Sequence, residues 1–421
     1  MMARFFYNLA LLALLPYVWL HLFLRSRKQP EYLAHLGERF GRYETTAQGP
    51  LIWLHAVSVG ETRAAAPIVA ALKARYPGHR ILLTHMTPTG RQTSEDLLGD
   101  SVLRAYLPYD YPFAVRRFLR HFKPAVGVIM ETEIWPNLVA ACKGRDIPLL
   151  LANARLSEKS ARNYARFPAL TRAALRDLAA IAAQTQQDAA RLTALGAPAV
   201  EVLGNVKFDI LPPPEQLALG EALRQRMGPR PVLLAASTRE GEEALLFAAL
   251  AQRPLGDALL VVVPRHPQRF DEVAALAAKA GLAVQRRSED APVAARTQVL
   301  LGDSMGELFA YYAACDLAFV GGSLLDYGSQ NLIEPCAVGR PVLIGRSTHN
   351  FSLAAELALE CGATRQIGSA EELLEAAAEL LADEDARRRM GEAGKAFAAR
   401  HRGATARTLE MITRHLPPLS G

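Results

Sequence analysis

The feature that most constrains the fold is an alternation of short apolar runs with Ala- and Leu-rich stretches along most of this 421-residue chain. The apolar runs have the length and composition of buried strands, and the stretches between them have the composition of helices. Strands and helices that alternate in this way form a parallel sheet covered by helices on both faces. The sequence therefore predicts an α/β fold.

The predicted strands fall into two series that are separated by one linker. The segment Asp209–Glu215, DILPPPE, is the clearest break, because three successive prolines stiffen it and exclude regular structure. The first series comprises Leu51–Val57, Ile81–His85, Ala105–Leu107, Ala125–Met130, Pro148–Ala152, Ala179–Ala183 and Val200–Leu203. The second series comprises Val232–Ala236, Leu259–Val263, Leu282–Arg286, Val299–Leu301, Leu317–Val320 and Val342–Ile344.

Two doubly wound domains are expected from these two series. We expect an N-terminal domain over residues 29–208, a linker over 209–216 and a C-terminal domain with final helices over 217–421. The tail Thr405–His415 could cross back to the first domain. Ligands of such sheets bind beyond the carboxyl ends of the strands, so the sequence predicts a binding cleft between the two domains.

The N-terminal segment is more apolar than the rest of the chain. Phe5–Leu24 is a run of about 20 mostly apolar residues, which is the length that crosses a bilayer as one helix. Arg25, Arg27 and Lys28 follow it, and such a positive flank favours the cytoplasmic side. No small-residue cleavage site follows, so residues 1–28 are predicted to form an uncleaved membrane anchor with a basic flank. A helix that lies in the membrane surface or packs on the protein body is the alternative.

Composition limits the partners that the chain is expected to bind. The formal net charge of +6 favours anionic ligands. The basic blocks Arg286-Arg287 and Arg387–Arg389 are short and lack interleaved aromatic residues, which argues against a nucleic-acid groove. The four cysteines form no CxxC pair and no histidine cluster has the spacing of a metal site, so neither a metal nor a cofactor is expected.

The segment Asp316–Ile344, DLAFVGGSLLDYGSQNLIEPCAVGRPVLI, has the pattern of a nucleotide-binding turn. A predicted strand ends at Val320 before two glycines, and a short helix is predicted to begin at Gln330. Asn331 and Glu334 would then lie on one face of the first helical turn. The N–H groups at a helix N-terminus favour an anion, and a carboxylate one turn further on can accept hydrogen bonds from a ribose. A plain Gly-rich connection between a strand and a helix is the alternative.

Carboxylates follow two of the predicted strands in the first domain. Glu61 in HAVSVGE would lie at the start of a helix, either as a general base towards an acceptor hydroxyl or as a capping carboxylate. Glu131 and Glu133 in METEIWP would point the same way, so one of them would have a raised pKa or need a cation. One of the two is expected to cap the helix that begins at Pro136. Arg91 in the strand-end loop MTPTGR could help to seat a phosphate.

Basic residues and a polar turn follow other predicted strands. Arg265 in VPRHPQRF is suited to a bidentate contact with a phosphate. Lys207 in GNVKF precedes the linker, so it would lie in the cleft and could neutralise a departing phosphate or bind a carboxylate. The turn Gly302–Leu308, GDSMGEL, could read a base with its backbone groups. Glu242 is interpreted as part of a helix-capping motif.

Taken together, these motifs resemble those of the 3-deoxy-D-manno-octulosonic acid (Kdo) transferase family. The family's motifs occur here in order, from the N-terminal segment to about Gly368, as HAVSVGE, MTPTGR, ETEIWPN, LANARLSEKS, GNVKFD, VPRHPQRF, GDSMGEL and GGSLLDYGSQNLIEPCAVGRPVLIG. The resemblance implies a GT-B glycosyltransferase, in which two Rossmann-like domains face each other across a cleft, with an N-terminal membrane-anchor helix. It further implies anchoring in the bacterial inner membrane, with the catalytic part on the cytoplasmic side.

The resemblance also implies roles for individual residues. Glu61 matches the family's general base, and Glu131 and Lys207 match residues that support the transition state. The positions that match the CMP-binding segments are Arg265, His266, Met305, Gly306, Glu307, Asn331, Leu332, Ile333 and Glu334. Kdo would pass from CMP-Kdo to lipid IVA, the tetraacylated disaccharide bisphosphate precursor of lipid A. One inverting displacement without a metal would complete the transfer.

Two alternatives from other classes of protein are open at this point. A GT-B transferase or epimerase that acts on another nucleotide sugar, such as a UDP-sugar, would share the fold, although epimerases are usually soluble. A non-catalytic, membrane-anchored protein that binds a nucleotide sugar would not need carboxylates at two strand ends, and this chain has Glu61 and Glu131 there. Because one fold hosts many functions, it is the series of motifs that favours the Kdo transferase.

Overall fold

The computed structural model describes residues 2–27, 29–46 and 48–416. The chain forms two compact units. The first unit comprises the residues up to Asp209 together with the segment from Arg402 onward, and the second comprises Ile210–His401. Each unit is built around its own parallel sheet.

The first unit contains a seven-stranded sheet. Its strands are β1 (Leu51–His55), β2 (Arg80–His85), β3 (Leu103–Tyr106), β4 (Val126–Met130), β5 (Leu149–Ala154), β6 (Ala180–Ala183) and β7 (Glu201–Val202). They are parallel and ordered β3-β2-β1-β4-β5-β6-β7. The direction of winding reverses between β1 and β4, so the loops that follow these two strands diverge at the sheet's topological switch point.

The second unit contains another seven-stranded sheet. Its strands are β8 (Val232–Thr238), β9 (Leu259–Pro264), β10 (Val284–Arg286), β11 (Val299–Leu301), β12 (Leu317–Val320), β13 (Val342–Ile344) and β14 (Thr364–Gln366). They are parallel and ordered β10-β11-β9-β8-β12-β13-β14. The switch point of this sheet lies between β8 and β12. The predicted pair of doubly wound domains is therefore confirmed.

Helices connect the strands in both units. The helices of the first unit before the linker are α1 (Met2–Ala13), α2 (Leu15–Ser26), α3 (Val59–Arg75), α4 (Pro88–Leu98), α5 (Pro112–Phe122), α6 (Pro136–Lys143), α7 (Glu158–Ala165), α8 (Pro168–Asp177) and α9 (Gln186–Ala194). Those of the second unit are α10 (Pro214–Met227), α11 (Glu242–Gln252), α12 (Phe270–Lys279), α13 (Leu308–Ala314), α14 (Ile333–Val338), α15 (Ser352–Glu360), α16 (Ala370–Ala382) and α17 (Glu384–Arg400). A last helix, α18 (Ala404–Thr413), returns to the first unit.

Alternate residues of the central strands face opposite sides of the sheet. In β1, Leu51 and Trp53 belong to the core of one face, and Ile52 and Leu54 belong to the core of the other. All four are no more than 1 % exposed. A Cβ at Gly127 of β4 would lie 2.6 Å from a ring atom of the β1 tryptophan, so glycine is required there. Burial on both faces explains why the strands are continuous apolar runs.

The last helix packs in the first unit, whereas the expected boundaries place it in the C-terminal domain. Met411 and Ile412 of α18 join the core that Ile68 and Leu72 of α3 form in the first unit. The expected C-terminal domain, 217–421, therefore differs from the observed unit at its end, because the apolar face of α18 is buried in the first unit. The tail of the chain thus crosses back to the first unit, a possibility that the sequence left open.

The linker is shorter than the expected 209–216. The two units divide between Asp209 and Ile210, and Pro214 already begins α10. A proline fits the first position of a helix because its missing N–H would have no partner there. Three prolines in a row therefore do not exclude regular structure here, since the third of them starts a helix.

β14 is a strand that the apolar pattern does not predict. Its three residues, TRQ, make no apolar run, and only Thr364 is buried. The strand lies at the edge of the second sheet and pairs with β13 through Leu343 and Arg365. Its conformation therefore comes from the neighbouring strand and not from its own composition.

The apolar N-terminal run forms two helices and not one. α1 and α2 are bent by 48° relative to each other at a short break. Pro16 lies in the first turn of α2, and a proline removes the N–H that would continue the preceding helix. Among the described residues, no single helix is long and apolar enough to cross a membrane, whereas the bent pair meets that test by length and composition alone.

Polar contacts hold α1 against the first unit. The Tyr7 hydroxyl donates to Asp110 Oδ2 at 3.0 Å. Asn137 Nδ2 donates to Asn8 Oδ1 at 2.6 Å. Both partners belong to the carboxyl edge of the first sheet, since Asp110 follows β3 and Asn137 lies in the first turn of α6. One side of α1 is therefore docked on the protein body.

Candidate active site

Glu61 lies in the first turn of α3, just after β1. Ser58 is the N-cap of this helix, and its hydroxyl donates to Glu61 Oε1 at 3.1 Å. The backbone N–H of Val57 donates to Oε2 at 2.9 Å. Glu61 is only 9 % exposed. It therefore has the capping geometry that the sequence offers as the alternative to a general base.

Capping does not remove the capacity of Glu61 to accept a proton. Burial raises the pKa of Glu61 to about 7, because the charged form loses hydration. The hydrogen bonds from Val57 and Ser58 oppose this rise, and the negative charges of Glu131 and Glu133 add to it. Near neutral pH both forms of the carboxyl are populated, which is the property that general-base catalysis requires.

Glu131 and Lys207 form an ion pair near this carboxyl. Lys207 Nζ lies 3.7 Å from Glu131 Oε1, and both side chains are partly exposed. Glu131 has a φ of 60°, a conformation that is uncommon outside glycine and tends to cluster at functional sites. Asn153 of LANARLSEKS accepts the Val206 N–H at 3.2 Å and so positions the turn that carries Lys207. Sequence reasoning gives no signal for this role of Asn153, because its partner lies in a distant motif.

Neither carboxylate of ETEIWP caps α6, so that expectation is wrong. Asp110 caps the helix instead, since its two oxygens accept the N–H groups of Asn137 at 2.9 Å and of Leu138 at 2.8 Å. Glu133 accepts a hydrogen bond from the indole N–H of the neighbouring tryptophan at 2.8 Å, and burial raises its pKa. The N-terminus of α6 is therefore capped by a carboxylate from the loop after β3 and not by one from the adjacent loop.

Arg91 is bound within the first unit. Its Nη1 lies 3.0 Å from Oε2 of Glu38, which is buried, and its guanidinium lies over the Tyr106 ring at 5.2 Å from the centroid. Glu38 Oε2 also accepts the Tyr106 N–H at 2.7 Å. Arg91 therefore ties the MTPTGR loop to the segment before β1, and the phosphate contact that the sequence offers stays a prediction.

In the second unit, Glu242 organises the glycine loop that follows β12. Its carboxylate accepts the backbone N–H groups of Arg239 at 2.8 Å, Gly322 at 2.7 Å and Leu324 at 2.9 Å. The side chain is completely buried, at 0 % exposure. Glu242 therefore joins the loops after β8 and β12 at the switch point of this sheet, a larger role than the local cap that its motif suggests.

Helix α14 begins at Ile333, so the expected start at Gln330 is wrong. The Ser329 N–H is bound to the Gly322 carbonyl at 2.6 Å, and the Gln330 N–H is bound to the Gly321 carbonyl at 2.9 Å. These bonds to the glycine loop hold the stretch in a non-helical conformation. Gln330 and Asn331 therefore precede the helix in the chain, and Glu334 lies in its first turn.

Asn331 and Glu334 lie side by side at this point. Asn331 Nδ2 donates to Glu334 Oε1 at 3.1 Å, and its Oδ1 accepts the N–H of Ile333 at 3.1 Å. Arg265 Nε donates to Gln330 Oε1 at 3.2 Å. The structure therefore brings together Arg265, which follows β9, and the segment that follows β12.

The remaining residues matched to the nucleotide segments differ in exposure. Leu332 and Ile333 are buried, so only their backbone groups are available to a ligand. Met305 is exposed, and Gly306 has a φ of 79° in the turn before α13. Glu307 accepts a hydrogen bond from the hydroxyl of a serine in the same turn. This turn therefore offers mainly peptide groups to a ligand.

Arg269 of VPRHPQRF has a role that sequence reasoning does not find. Its guanidinium pairs with Glu243 at 2.8 Å and with Glu272 at 3.0 Å, and the Glu243 side chain is completely buried. These pairs fix the loop that carries Arg265 and His266. Burial, together with the positive charge of nearby arginines, lowers the pKa of His266, so its imidazole is neutral near pH 7.

The buried histidines of the first unit are structural. Burial lowers the pKa of His55 to about 3 and that of His85 to about 4, so both are neutral in the core. Across residues 2–27, 29–46 and 48–416, no group of three or more His, Cys, Asp or Glu side chains is placed to hold a metal ion.

Solved structures show which class of protein the two sheets define. A glycosyltransferase from Rickettsia africae is similar with a TM-score of 0.58 and 14 % identity, over 88 % of this chain and 99 % of that one. MurG from Acinetobacter baumannii is similar with a TM-score of 0.57 and 14 % identity, over 87 % and 99 % of the two chains. The UDP-GlcNAc 2-epimerase from Neisseria meningitidis has a TM-score of 0.56 and 16 % identity, over 86 % and 100 %. The chain is thus an α/β protein of the GT-B class, with two Rossmann-like domains.

Sequence relatives then define the family. The family model described as 3-deoxy-D-manno-octulosonic-acid transferase matches residues 34–210, and that of glycosyl transferases group 1 matches residues 279–397. The 3-deoxy-D-manno-octulosonic acid transferase of Bordetella pertussis is 45 % identical over 98 % of this chain and 99 % of its own length. The transferase of the same name from Haemophilus influenzae is 39 % identical over 99 % of each. The chain belongs to the Kdo transferase family and is a glycosyltransferase.

Proposed function

We propose that this glycosyltransferase moves Kdo from CMP-Kdo to lipid IVA with inversion at the anomeric carbon. The observation that carries the proposal is the Glu61 carboxyl, whose pKa is about 7 and which follows β1 at the switch point of the first sheet. A base with a pKa near the working pH is the most effective proton acceptor. The relatives at 45 % and 39 % identity are named as Kdo transferases, which favours this reaction over that of a UDP-sugar epimerase.

The reaction is a single displacement. Glu61 accepts the proton of an acceptor hydroxyl while the hydroxyl oxygen attacks the anomeric carbon of Kdo from the face opposite CMP. The bond from that carbon to the phosphate oxygen breaks, and CMP leaves with the electron pair. Glu131 lies near enough to raise the pKa of Glu61, and its carboxylate would stabilise positive charge that develops on the sugar ring. Its ion pair with Lys207 holds this carboxylate in position.

The donor nucleotide is proposed to bind at the carboxyl edge of the second sheet. Arg265 would contact the phosphate, and the hydrogen-bonded pair of Asn331 and Glu334 would contact the ribose. Backbone groups of Leu332 and Ile333 and of the turn Met305–Glu307 would complete the site. We propose that no divalent metal takes part, because an arginine and backbone N–H groups supply the positive potential that the leaving phosphate needs.

We further propose that α1 and α2 attach the protein to the cytoplasmic face of the bacterial inner membrane. Arg25 and Arg27 follow the apolar run, and such a basic flank is attracted to anionic lipids. An exposed apolar surface of this extent favours contact with a bilayer. The large apolar side chains exposed on these two helices include Phe5, Phe6, Leu9, Leu12, Tyr17, Trp19, Leu20, Phe23 and Leu24.

One transfer assay tests the donor, the acceptor and the metal requirement. Purified, detergent-solubilised protein is treated with EDTA and given lipid IVA and freshly generated CMP-Kdo, and the products are read by mass spectrometry. We expect a mass gain of one or more Kdo units without added metal, and NMR of the product should show inverted configuration. CMP binding without any product would contradict the sugar or the acceptor. A product that forms only after Mg²⁺ is restored would contradict the metal-free mechanism.

The pH dependence of transfer tests the assignment of Glu61. Its raised pKa means that the carboxyl is mostly protonated below about pH 7 and mostly ionised above it. Because the base must be ionised, kcat/KM should rise about tenfold per pH unit on the acid side and level off above pH 7 to 8. Glu133→Gln is the matched control. It removes a charge that raises the pKa of Glu61, so the midpoint should move slightly to lower pH while the shape persists. A flat profile through this range would contradict the assignment.

A further inference from the structure

A large apolar cavity lies beside α1 in the first unit. Its volume is 970 Å³, and its walls come from α1, the start of α6, α7 and α8. Ala174 and Thr171 of α8 are buried in its inner wall, and the rings of Phe6 and Phe167 are exposed at its opening. This volume lies at the upper end of the range for small-molecule sites, which is about 300–1,000 Å³.

Hydrogen bonds hold the α1 wall of the cavity in place. Tyr7 lines the cavity with its ring, and its hydroxyl is bound to Asp110. Asp110 in turn accepts the first N–H groups of α6, including that of Asn137, whose side chain also binds α1 through Asn8. The cavity is therefore built by a connected set of contacts and is not a gap left by a loosely packed terminus.

One wall of the cavity belongs to the ETEIWP loop. Ile134 and Pro136 line the cavity, and they follow Glu131 in the same loop. Tyr164 of α7 also lines the cavity, and its hydroxyl donates to the Thr132 carbonyl at 2.9 Å. One short loop thus carries a wall of the cavity and the carboxylate that pairs with Lys207.

We propose that this cavity binds one fatty acyl chain of the lipid acceptor and thereby positions the acceptor sugar at Glu61. The inference rests on the proposed function and adds a subsite to it. A hydrocarbon chain matches an apolar lining, whereas a polar metabolite would leave its hydrogen-bonding groups unpaired there. The shared loop favours the acceptor as the source of the chain, because it joins the cavity to Glu131, a carboxylate of the candidate active site.

Two polar side chains lie beside the apolar rings at the opening of the cavity. Asn163 and Arg166 line the cavity near its opening, and both are exposed. The guanidinium of Arg166 is suited to a phosphate of the bisphosphate acceptor. An apolar interior with an arginine at its opening suits an anionic amphiphile.

A pair of Ala→Trp substitutions tests the cavity with acceptors of different chain length. Ala169 is an exposed lining residue in the first turn of α8, so Ala169→Trp fills space without disturbing the core. Ala165 is exposed at the end of α7 and is not part of the lining, so Ala165→Trp is the matched control. Ala169→Trp should raise KM for lipid IVA about tenfold or more with little change in kcat, and should leave an acceptor with shortened chains unaffected. An equal effect on both acceptors would overturn the proposal.

A photo-crosslinking experiment tests occupancy without using catalysis. A long-chain fatty acid that carries a diazirine should label the lining peptides of α1, α7 and α8, and Ala169→Trp should abolish this labelling. Excess lipid IVA should compete, whereas phosphatidylglycerol vesicles should not. No labelling of these peptides, or equal competition by phosphatidylglycerol, would overturn the acyl-chain site even if transfer is normal. Competition by lipid IVA in a protein that shows no transfer would support the site and contradict the proposed function.

Discussion

Replacing Glu61 with glutamine should lower kcat by about 10²–10⁴-fold, which is the usual contribution of a general base. The amide keeps the size of the side chain and can still accept the Val57 N–H, but it cannot take the proton of the acceptor hydroxyl. CMP affinity should be unchanged, because the proposed nucleotide site lies in the other unit. Transfer rate by mass spectrometry, CMP binding by calorimetry and thermal unfolding together check this result.

Ser58→Ala is the control that separates capping from catalysis. It removes the N-cap of α3 and keeps the carboxylate, so it should lower stability by about 0.5–2 kcal/mol and retain most of the activity. Glu61→Gln should instead keep the stability and lose the activity. If Glu61→Gln turns over at a near-normal rate, Glu61 is only a helix cap and the proposed mechanism is wrong.

Arg269→Met should destabilise the second unit by about 3–5 kcal/mol, because it leaves the Glu243 carboxylate buried without its cation. The same variant should weaken CMP binding, since the pair fixes the loop that carries Arg265. Chemical denaturation of the full-length protein and a CMP titration measure the two effects.

Two further variants show whether the burial of the ion pair causes the loss of stability. Arg388→Met breaks an ion pair whose side chains are 66 % and 65 % exposed, so it should cost at most about 1 kcal/mol. Adding Glu243→Gln to Arg269→Met should recover part of the lost stability, because the unpaired charge is removed. If Arg269→Met costs no more than Arg388→Met, the buried pair does not stabilise the loop.

The strands of both sheets could be predicted from the sequence because most of them are buried on two faces. The run Leu51–His55 is apolar at almost every position, since each face of β1 contacts a separate core. β14 could not be predicted, because it is an edge strand in which Arg365 and Gln366 are exposed. The start of α14 could not be predicted either, since hydrogen bonds to the preceding glycine loop and not helix propensity decide it.

The residues of the candidate site could be located from their motifs, but their chemistry depends on contacts that a sequence does not contain. Glu61 follows a strand in a recognisable motif, whereas its pKa depends on burial and on the proximity of Glu131. The cap of α6 is Asp110, from a loop that no local pattern connects with that helix. The buried roles of Glu242 and Glu243 are equally non-local, because their partners come from the loops after β12 and β9.

The return of α18 to the first unit makes the second unit an insertion. The chain leaves the first unit at Asp209 and re-enters it at Arg402. The Asp209 carboxylate accepts the N–H groups of Gly403 and Thr405, so the exit and the re-entry point lie side by side. A short splice could therefore join them after excision of Ile210–His401. Recombination between related genes could exchange the second unit as one uninterrupted segment, whereas removal of the last helix would damage the first unit.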